Sequence, residues 1–450
     1  MVTAGRALAS VVLASALSLF VSPSGAFGAE WFVAAGASGN GSREAPFGRI
    51  QEGLNAAQAG DVVTVAGGTY AETIRTVRAG TAESPIRLRP AAGRGSVVVT
   101  NRGRVLTVGH AHATVEGLVF DGQYGLDDVV RISDQGNFFQ LVGAEVRRSS
   151  RDLIDMGGPA GVLIDGCLIH HALDAAAGRT DAHGIVAGAV RDLTVRNTEI
   201  HTFSGDGLQV DPGRAPMGWN RVTVEGSRIW LAPLPTAENG FAAGTVTGEN
   251  AIDTKVNPTA ERATIVIRDT VAYGFRNGLL KNMAAFNLKE KVSATLDRVT
   301  VYDSEIAFRL RGPTGAAAAG AWVTIANAVV YDVATAYRYE NHIEQLRIWN
   351  STVGRNVARA FQAAESSVLG LEVRNLLMMG PRPAEAGHSS NMSAVASAFA
   401  DAGADDYRLA AGAPAIDAGV VLPDVPTDRL GVQRPQGRAY DVGAYEWPAP

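Results

Sequence analysis

All four lysines of this chain lie close together, although arginine supplies the positive charge elsewhere. They are Lys255, Lys281, Lys289 and Lys291. Lysine can lose its proton when burial or a nearby cation lowers its pKa, whereas arginine keeps its charge in almost every environment. One of these amines is therefore a candidate base. For Lys289 and Lys291, in NLKEK, a solvated loop is an equally good interpretation.

Acidic residues gather in the same region, at Asp206, Asp211, Glu249 and Asp253. A groove that combines carboxylates with a lysine base can bind and deprotonate a ligand. Simpler interpretations exist for two of them. Asp206, in GDG, can be a turn residue, and Asp253 with Lys255 can form a surface ion pair that contributes little.

A recurring strand pattern indicates how these residues are positioned. It reads apolar-x-apolar-x-(Gly/Asn/Asp)-x-x-apolar, as in ATVEGLVF and LRIWNSTV. Its second apolar residue recurs from Val115 to Val373 at steps of 23 to 31 residues, apart from one step of 43. Repeats of this length without a helical period are typical of solenoids. The sequence therefore predicts an all-β fold, a right-handed parallel β-helix of about ten coils.

Each repeat holds a second strand, whose outward residues should stack into a column because equivalent residues align in a parallel ladder. AIDTK, GLQVD and AFRLR place Asp253, Gln209 and Arg309 at one height. In the repeat after AIDTK, GLLKN is taken as the second strand. Lys255, Asp211 and Arg311 follow two residues on, and the column extends through Arg131, Asp155, Arg338 and Glu340. A long groove with charges of both signs suits an extended ligand such as a polysaccharide.

The chain begins with a segment that looks like a secretory signal. Arg6 precedes an apolar run, and small residues suited to cleavage follow at Ser24, Ala26 and Gly28. The apolar run is short for a membrane span. A secreted or periplasmic protein without a membrane span is therefore expected.

Four parts are predicted along the chain. They are a signal peptide (1–28), an N-terminal cap with the first coils (29–100), the parallel β-helix (101–380) and an extended C-terminal tail packed on it (381–450). A short helix with Ile50 and Leu54 on its apolar face is expected to cap the open end of the solenoid. The step of 43 residues contains a Pro/Gly/Ala-rich insertion, LAPLPTAENGFAAGTVTGEN, which is expected to wall the groove.

Composition argues against a nucleic-acid-binding protein and against a disulfide-stabilised one. The net charge of −5 gives no reason to expect a nucleic-acid partner. Cys167 is the only cysteine, so no disulfide can form within the chain, and it suits a small core residue. A monomer is expected. His170 and His171 lack a third ligand at a spacing that suits zinc and are interpreted as structural.

These repeats, the opening WFVAAGASGNGS with GRIQEGLNAAQAGDVVTVAGGTY, and the ending YRLAAGAPAIDAG with DVGAYE resemble the secreted pectin-lyase-like β-helix superfamily. The chain looks most similar to the calcium-dependent pectate lyases of polysaccharide lyase family nine. That resemblance implies acidic calcium ligands on adjacent coils and a lysine base nearby. It assigns the Ca²⁺ ligands to Asp206, Glu249, Asn250 and Asp253, although that family has aspartates where Glu249 and Asn250 stand.

The resemblance leaves the position of the base open. Lys255 lies on the acidic coil, Lys281 follows it one residue out of phase, and Arg309 occupies the phase of the family's lysine. All three are candidate catalytic residues. Candidate substrate-binding residues are Asp211, Arg311, Arg338 and His183, the last in DAHG one coil earlier.

The implied activity is cleavage of an acidic, uronate-containing polysaccharide by β-elimination. Ca²⁺ or arginine would neutralise the uronate carboxylate, and the base would remove the C5 proton. Three alternatives stay open. A glycoside hydrolase needs two carboxylates facing one bond, a C5-epimerase shares the proton abstraction, and a carbohydrate-binding surface protein needs only the groove.

Overall fold

The computed structural model describes residues 28–175, 181–210, 217–313, 320–340, 342–364 and 370–448. The predicted signal segment lies outside these ranges except for Gly28, and Asp211 also lies outside them. Within the described part of the chain, no helix is both long and apolar enough to cross a membrane.

Three long parallel sheets form the body of the molecule, and the chain visits them in turn. Sheets A and B have 13 strands each, and sheet C has 11. Every neighbouring pair within these sheets is parallel. Apart from the pairs at one end of sheet A and one end of sheet B, neighbours are separated by one circuit of the chain through the other two sheets, as in a β-helix. The predicted all-β parallel solenoid is confirmed. The predicted count of about ten coils is not confirmed, because the sequence motif was recognised in only part of the array.

The strands of sheet A are β1 (Glu30–Val33), β2 (Val62–Val65), β5 (Ile86–Pro90), β8 (Ala113–Glu116), β11 (Gln140–Val142), β14 (Leu163–Asp165), β17 (Arg191–Arg196), β20 (Asn220–Glu225), β23 (Ala263–Arg268), β26 (Val292–Asp297), β29 (Trp322–Ala326), β32 (Gln345–Trp349) and β35 (Leu371–Arg374). Those of sheet B are β3 (Gly68–Ala71), β6 (Val97–Thr100), β9 (Val119–Gly125), β12 (Glu145–Ser149), β15 (Leu168–Ala172), β18 (Glu199–Phe203), β21 (Arg228–Trp230), β24 (Val271–Tyr273), β27 (Thr300–Tyr302), β30 (Val329–Val330), β33 (Thr352–Val353), β36 (Leu377–Met379) and β37 (Met392–Ala394).

The strands of sheet C are β4 (Ile74–Arg75), β7 (Leu106–Val108), β10 (Val130–Ile132), β13 (Ile154–Met156), β16 (Ile185–Ala187), β19 (Leu208–Val210), β22 (Asn250–Thr254), β25 (Ala284–Lys289), β28 (Ser304–Arg311), β31 (Val333–Tyr339) and β34 (Val357–Ala363). A short antiparallel pair, β38 (Phe399–Asp401) and β39 (Asp406–Leu409), follows near the C-terminus, with three 3₁₀ helices at Ala384–Ala386, Ala396–Ala398 and Ala402–Ala404.

The corner between sheets A and B explains the repeated Gly/Asn/Asp of the sequence motif. At that position the backbone has a left-handed conformation, with φ between 42° and 67°. Gly, Asn and Asp adopt this conformation at lower cost than other residues. The residues at this corner are Gly117, Gly143, Gly166, Asn197, Gly226, Asp269, Arg298, Asn327, Asn350 and Asn375.

The core runs along the axis, between the inward faces of the three sheets. In sheet C, Phe286, Phe308 and Tyr337 stack on successive coils with ring centroids 5.7 Å and 5.3 Å apart. All three side chains are fully buried, and burial of a large apolar side chain contributes roughly 1.5–3 kcal/mol. Because side chains alternate along a strand, this inward ladder turns the residues between its members outward.

One second strand was assigned incorrectly from the sequence. GLLKN is not a strand, because that segment lies in the connection between β24 and β25. The strand of this coil is AAFNLK, in β25, whose Phe286 joins the inward ladder. In the structure Lys281 therefore lies outside the sheet, and Lys289 lies within it.

The two ends of the described chain differ in structure. Near the N-terminus, α1 (Ile50–Ala56) buries Ile50 and Leu54 against the first coils. Its role as a cap stays a prediction, as do the bounds of the four predicted parts. Near the C-terminus, residues such as Tyr407 and Val442 form a second apolar cluster against β30 and β36.

Candidate functional site

Sheet C presents a row of polar side chains on its outer face, which forms the floor of the candidate site. Gln209, Asp253, Asn287, Arg309 and Arg338 occupy equivalent positions on five successive strands. The predicted alignment of Gln209, Asp253 and Arg309 is confirmed. Asn287 was not expected between Asp253 and Arg309, because its strand was misplaced in the sequence analysis.

An open cavity of roughly 200 Å³ lies over this row and is called the lysine cavity below. It is lined by predicted residues from both the acidic and the basic sets: Asp206, Glu249, Asn250, Asp253, Lys255, Lys281, Arg309 and Arg311. Asp181, Gln209, Asn282, Asn287 and Lys289 also line it. Its carboxylates come from the coils of β19 and β22 and the coil before them, and most of its cations come from later coils. The cavity is therefore polarised along the axis.

Asp206 is buried at the start of β19 and is held by amides. Its two carboxylate oxygens accept hydrogen bonds from Asn250 Nδ2 at 2.8 Å and Gln209 Nε2 at 3.0 Å. Its backbone N–H donates to His183 Nδ1 at 2.7 Å. Burial and then the charge of Glu249 raise the pKa of Asp206, although the amide hydrogen bonds oppose the rise.

Asp253, on β22, is the point where two lysines converge. Lys289 Nζ lies 2.9 Å and 3.0 Å from the two oxygens of Asp253, and Lys255 Nζ lies 3.9 Å from one of them. Burial and then the charge of Asp206 raise the pKa of Asp253, while the two lysines act against this rise. Asp253 thus collects both amines at one buried carboxylate inside the cavity.

The carboxylates of this site fit a divalent cation in their chemistry. Asp206, Glu249 and Asp253 provide the hard oxygen donors that Ca²⁺ prefers. Their oxygens do not all lie within 4.8 Å of one another, so binding one ion would require these side chains to move together. Burial and then a neighbouring carboxylate raise the pKa values of Asp206 and Asp253, and a bound cation would oppose both effects. Asn250 is oriented differently, because its oxygen accepts from the Ala284 N–H at 3.2 Å. Here Asn250 supports Asp206, and its predicted ligand role would require the amide to rotate.

The predicted arginines meet at a single carboxylate. The Nε atoms of Arg309, Arg311 and Arg338 each lie 2.9 Å from an oxygen of Glu340. These three arginines are called the arginine triad below. Burial opposes ionisation of Glu340, but the hydrogen bond from Arg309 and the three positive charges outweigh it and keep the pKa of Glu340 low.

The remaining predicted residues lie at the edge of the site. Lys281 is exposed and lines the lysine cavity from the connection before β25. His183 is buried behind Asp206, so its position suits orienting Asp206, and its predicted substrate contact stays a prediction. Asp211 lies outside the described residues.

Sequence reasoning missed the role of Lys289, which forms the shortest lysine contacts with Asp253. The alternation in AAFNLK was the available signal. Its apolar Phe286 and Leu288 face inward, which turns Asn287 and Lys289 outward. Lys291 is different, because its Nζ donates to the Ala260 carbonyl at 2.7 Å and it does not line the cavity.

A second group of carboxylates lies a few coils earlier and is called the upstream acid cluster. Asp128, Asp152 and Asp155 each offer an oxygen within 4.8 Å of the others, which is the only such group among the described residues. Arginines balance it: Arg131 pairs with Asp155, and Arg151 Nε lies 3.0 Å from Asp128. Asp155 is therefore buried in ion pairs rather than extending the groove as a solvated ladder residue.

The insertion predicted to wall the groove lies between β21 and β22 and reaches back toward earlier coils. Asn239 Nδ2 donates to Ser150 Oγ at 2.9 Å, and Glu238 Oε2 lies 3.4 Å from His171 Nε2. Leu234 also packs in a small apolar cluster with Leu173. The insertion thus follows the corner between sheets B and C on the side of the upstream acid cluster.

No family model and no curated protein matches the sequence. Among solved structures the chain is similar to pectate lyase Pel9A, with a TM-score of 0.55 and 15% identity over 93% of this chain and 96% of that one. It is also similar to a mannuronic acid specific polysaccharide family 6 lyase from human gut microbiota (TM-score 0.49, 13% identity, 74% and 78% covered) and to a polygalacturonase from Erwinia carotovora (0.47, 13%, 77% and 96%). The three parallel sheets and the likeness to pectate lyase Pel9A show that the fold is a parallel β-helix.

Proposed function

On this pectin-lyase-like scaffold, we propose that the protein is a lyase that cleaves a uronate-containing polysaccharide by β-elimination. One observation carries the proposal. Lys289 and Lys255 converge on the buried Asp253 inside an open cavity that has carboxylates at one end and arginines at the other. The cavity lies on the long outer face of sheet C, which suits an extended polymer.

The reaction removes the C5 proton of a uronate and expels the glycosidic oxygen from C4, which leaves a double bond between C4 and C5. The substrate carboxylate must be neutralised because negative charge develops beside it. Asp206, Glu249 and Asp253 are the residues that would hold Ca²⁺, and the ion would supply this neutralisation. The fixed cations of Arg309 and Arg311 can bind a carboxylate of the same polymer.

Lys289 is the preferred base among the lysines. Its side chain is 14% exposed, compared with 34% for Lys255, so it is better shielded from water. Freeing an ordinary lysine amine at pH 7 costs about 4.6 kcal/mol. Arg311 occupies the neighbouring position to Lys289 on the next strand, so a second cation is carried beside Lys289. Lys255 is the second candidate, and the exposed Lys281 is the third.

A glycoside hydrolase is the main alternative, because carboxyl groups with raised pKa values can serve as general acids. Asp206 and Asp253 have such pKa values, but both are deeply buried beneath amide and lysine contacts. A C5-epimerase would use the same proton abstraction without breaking the chain. A non-catalytic binding protein would use only the groove.

One assay separates these functions. Purified protein is incubated with polygalacturonate, alginate or glycosaminoglycans, in Ca²⁺ or in chelator, and the ultraviolet absorbance of a 4,5-unsaturated uronate is followed. The lyase proposal expects new absorbance that chelator reduces. New reducing ends without absorbance indicate hydrolysis, and altered C5 configuration without cleavage indicates an epimerase. Binding without any product contradicts an enzyme on these polymers.

A further inference from the structure

The arginine triad has an arrangement that a solvated surface would not need. Arg309, Arg311 and Arg338 lie on two neighbouring strands of sheet C, close enough for like charges to repel. Glu340 is the carboxylate that holds them together, with three contacts of 2.9 Å. Its side chain is only 10% exposed, so it is committed to these contacts rather than to water.

Arg309 Nε donates a hydrogen bond to Glu340, whereas Arg311 Nε and Arg338 Nε lie equally near a Glu340 oxygen as ion pairs without hydrogen-bond geometry. These contacts leave the terminal nitrogens of the guanidinium groups for other partners. Arg338 Nη1 donates to Asn282 Oδ1 at 2.6 Å, which fixes that side chain against the segment carrying Lys281. The terminal nitrogens of Arg309 and Arg311 donate no hydrogen bond to another residue within the described ranges. Both side chains line the lysine cavity, where paired N–H groups can bind a carboxylate bidentately.

The net charge of this group also favours an anion. Three arginines and one glutamate carry a net charge of +2, because the low pKa of Glu340 keeps it ionised. At the other end of the cavity, Asp206 and Asp253 would repel an anion unless a cation is bound. The triad is thus the part of the cavity that attracts a carboxylate by itself.

The distance between the arginine triad and Asp253 suits two sugar residues of one polysaccharide. Asp253 and Arg309 are separated by two strand spacings, with Asn287 between them. Two spacings correspond to roughly 10 Å, which is comparable with the length of a disaccharide. A polymer lying along the groove can therefore place one residue over Asp253 and another over the triad.

We propose that Glu340 is a positioning residue and that the arginine triad it organises is a subsite for the carboxylate of a second uronate in the same polymer. The inference rests on the proposed function for the class of ligand. It adds that the site selects polymers in which residues near the cleaved one are also acidic.

Replacing Glu340 distinguishes positioning from simple charge attraction, because the two predict opposite changes in the affinity for an acidic polymer. Glu340→Gln removes one negative charge, so attraction by net charge alone would strengthen the binding of a polyanion. If Glu340 positions the arginines, the same substitution lets them spread apart and weakens binding. Loss of one bidentate ion pair corresponds to about tenfold in affinity.

Glu372→Gln is the matched control. Glu372 lies on β35 of sheet A, and its oxygens are 3.7 Å and 3.9 Å from Arg347 and Arg374. This variant removes the same charge from the same end of the molecule but leaves sheet C unchanged. Arg311→Lys is the second variant, because it keeps the positive charge and removes the planar pair of donors.

The experiment measures retardation in native gels that contain polygalacturonate or alginate, with chelator present so that calcium-dependent turnover does not consume the polymer. Methyl-esterified polygalacturonate is the neutral probe. We expect wild type and Glu372→Gln to bind an acidic polymer about equally and the methyl ester weakly. Glu340→Gln and Arg311→Lys should bind the acidic polymer about tenfold more weakly.

Unchanged or stronger binding by Glu340→Gln, with its thermal unfolding intact, overturns the inference. If that variant does not fold, wild-type affinity in Arg311→Lys overturns it. Equal affinity of wild type for ester and acid, or no binding of either acidic polymer, also overturns it. Retained binding without an unsaturated product would contradict the proposed lyase and leave the subsite standing, so the two failures are distinguishable.

Discussion

The molecule contains two buried groups of carboxylates on neighbouring coils, and their partners differ. The upstream acid cluster is paired with Arg131 and Arg151. The acids of the lysine cavity contact amides and lysines instead, with Lys289 nearest to Asp253. Asp206 and Asp253 are as deeply buried as the three aspartates of the upstream acid cluster, so their surroundings rather than their exposure distinguish them.

This difference determines which group can change its charge. Arginine does not lose its proton under ordinary conditions, so the cations of the upstream acid cluster stay charged. Lysine can be deprotonated when its counter-charge is neutralised, so the pairing of Lys289 with Asp253 can change. An acidic cluster by itself therefore says little about function, and the kind of cation beside it says more.

His183 joins the two groups physically. Its backbone N–H donates to Asp152 Oδ1 at 3.0 Å, and its Nδ1 accepts from the Asp206 N–H at 2.7 Å. The rigid cluster thus supports the coil that presents Asp206. We interpret the upstream acid cluster as structural support and the lysine cavity as the reactive site.

The largest expected effect is a loss of catalytic rate when the base is removed, and it should differ between the lysines of the cavity. Lys289→Ala should reduce the rate of uronate elimination by about 10²- to 10⁴-fold, the usual contribution of a general base. Lys255→Ala should have a smaller effect, because its amine is farther from Asp253 and more exposed. The measurement is the initial rate of ultraviolet absorbance on the preferred polymer.

Lys291→Ala is the control, since its amine binds the Ala260 carbonyl outside the cavity. It should keep the wild-type rate. A Lys289→Ala enzyme that is as fast as Lys291→Ala would remove Lys289 as the base. The same result with Lys255→Ala inactive would transfer the role to Lys255.

The fold could be predicted because its sequence signals are local and repeated. The Gly, Asn or Asp of each motif marks a corner that needs positive φ, as at Gly117 and Asn350. Alternating apolar residues mark the strands between corners. Arg298 shows that the corner tolerates an exception, and the repeat was recognised despite it.

The candidate site was only partly predictable, because side-chain partners depend on the lengths of connections between coils. The connection before β25 shifted the expected strand from GLLKN to AAFNLK and hid Lys289. Asp128 and Asp152 lie in corners outside the strands, where no alternation indicates direction. Glu340 was placed in the column, but its three contacts required knowledge of the register between β28 and β31.

An effect of intermediate size is the stabilisation of the fold by Ca²⁺, which should depend on the lysine cavity and not on the upstream acid cluster. If the lysine cavity binds Ca²⁺, an ion concentration of 100 times Kd stabilises the fold by about 2.7 kcal/mol. Asp253→Asn should lose this stabilisation, whereas Asp155→Asn in the upstream acid cluster should keep it. The measurement is the shift of Tm on adding Ca²⁺ to chelated protein, and the reverse pattern would move the metal to the upstream acid cluster.

The smallest expected effect concerns the pH dependence of the upstream acid cluster. Burial and then the charge of Asp155 raise the pKa of Asp128 above its usual 3.8, although Arg151 opposes the rise. Because the native state holds this proton more tightly than the unfolded chain, the group costs stability as pH rises above about 3.8. Asp128→Asn keeps the shape and lacks this titration.

The free energy of unfolding of Asp128→Asn relative to wild type should therefore increase between pH 3.5 and pH 7, by about 1–3 kcal/mol, so the variant becomes relatively more stable. Denaturant unfolding at several pH values measures it, with Asp192→Asn as an exposed control whose carboxylate pairs with Arg221 on the surface. The opposite slope for Asp128→Asn would mean that the arginines stabilise the ionised carboxylate more than burial penalises it. The upstream acid cluster would then be a net source of stability at neutral pH, and its contrast with the lysine cavity would be larger than the raised pKa indicates.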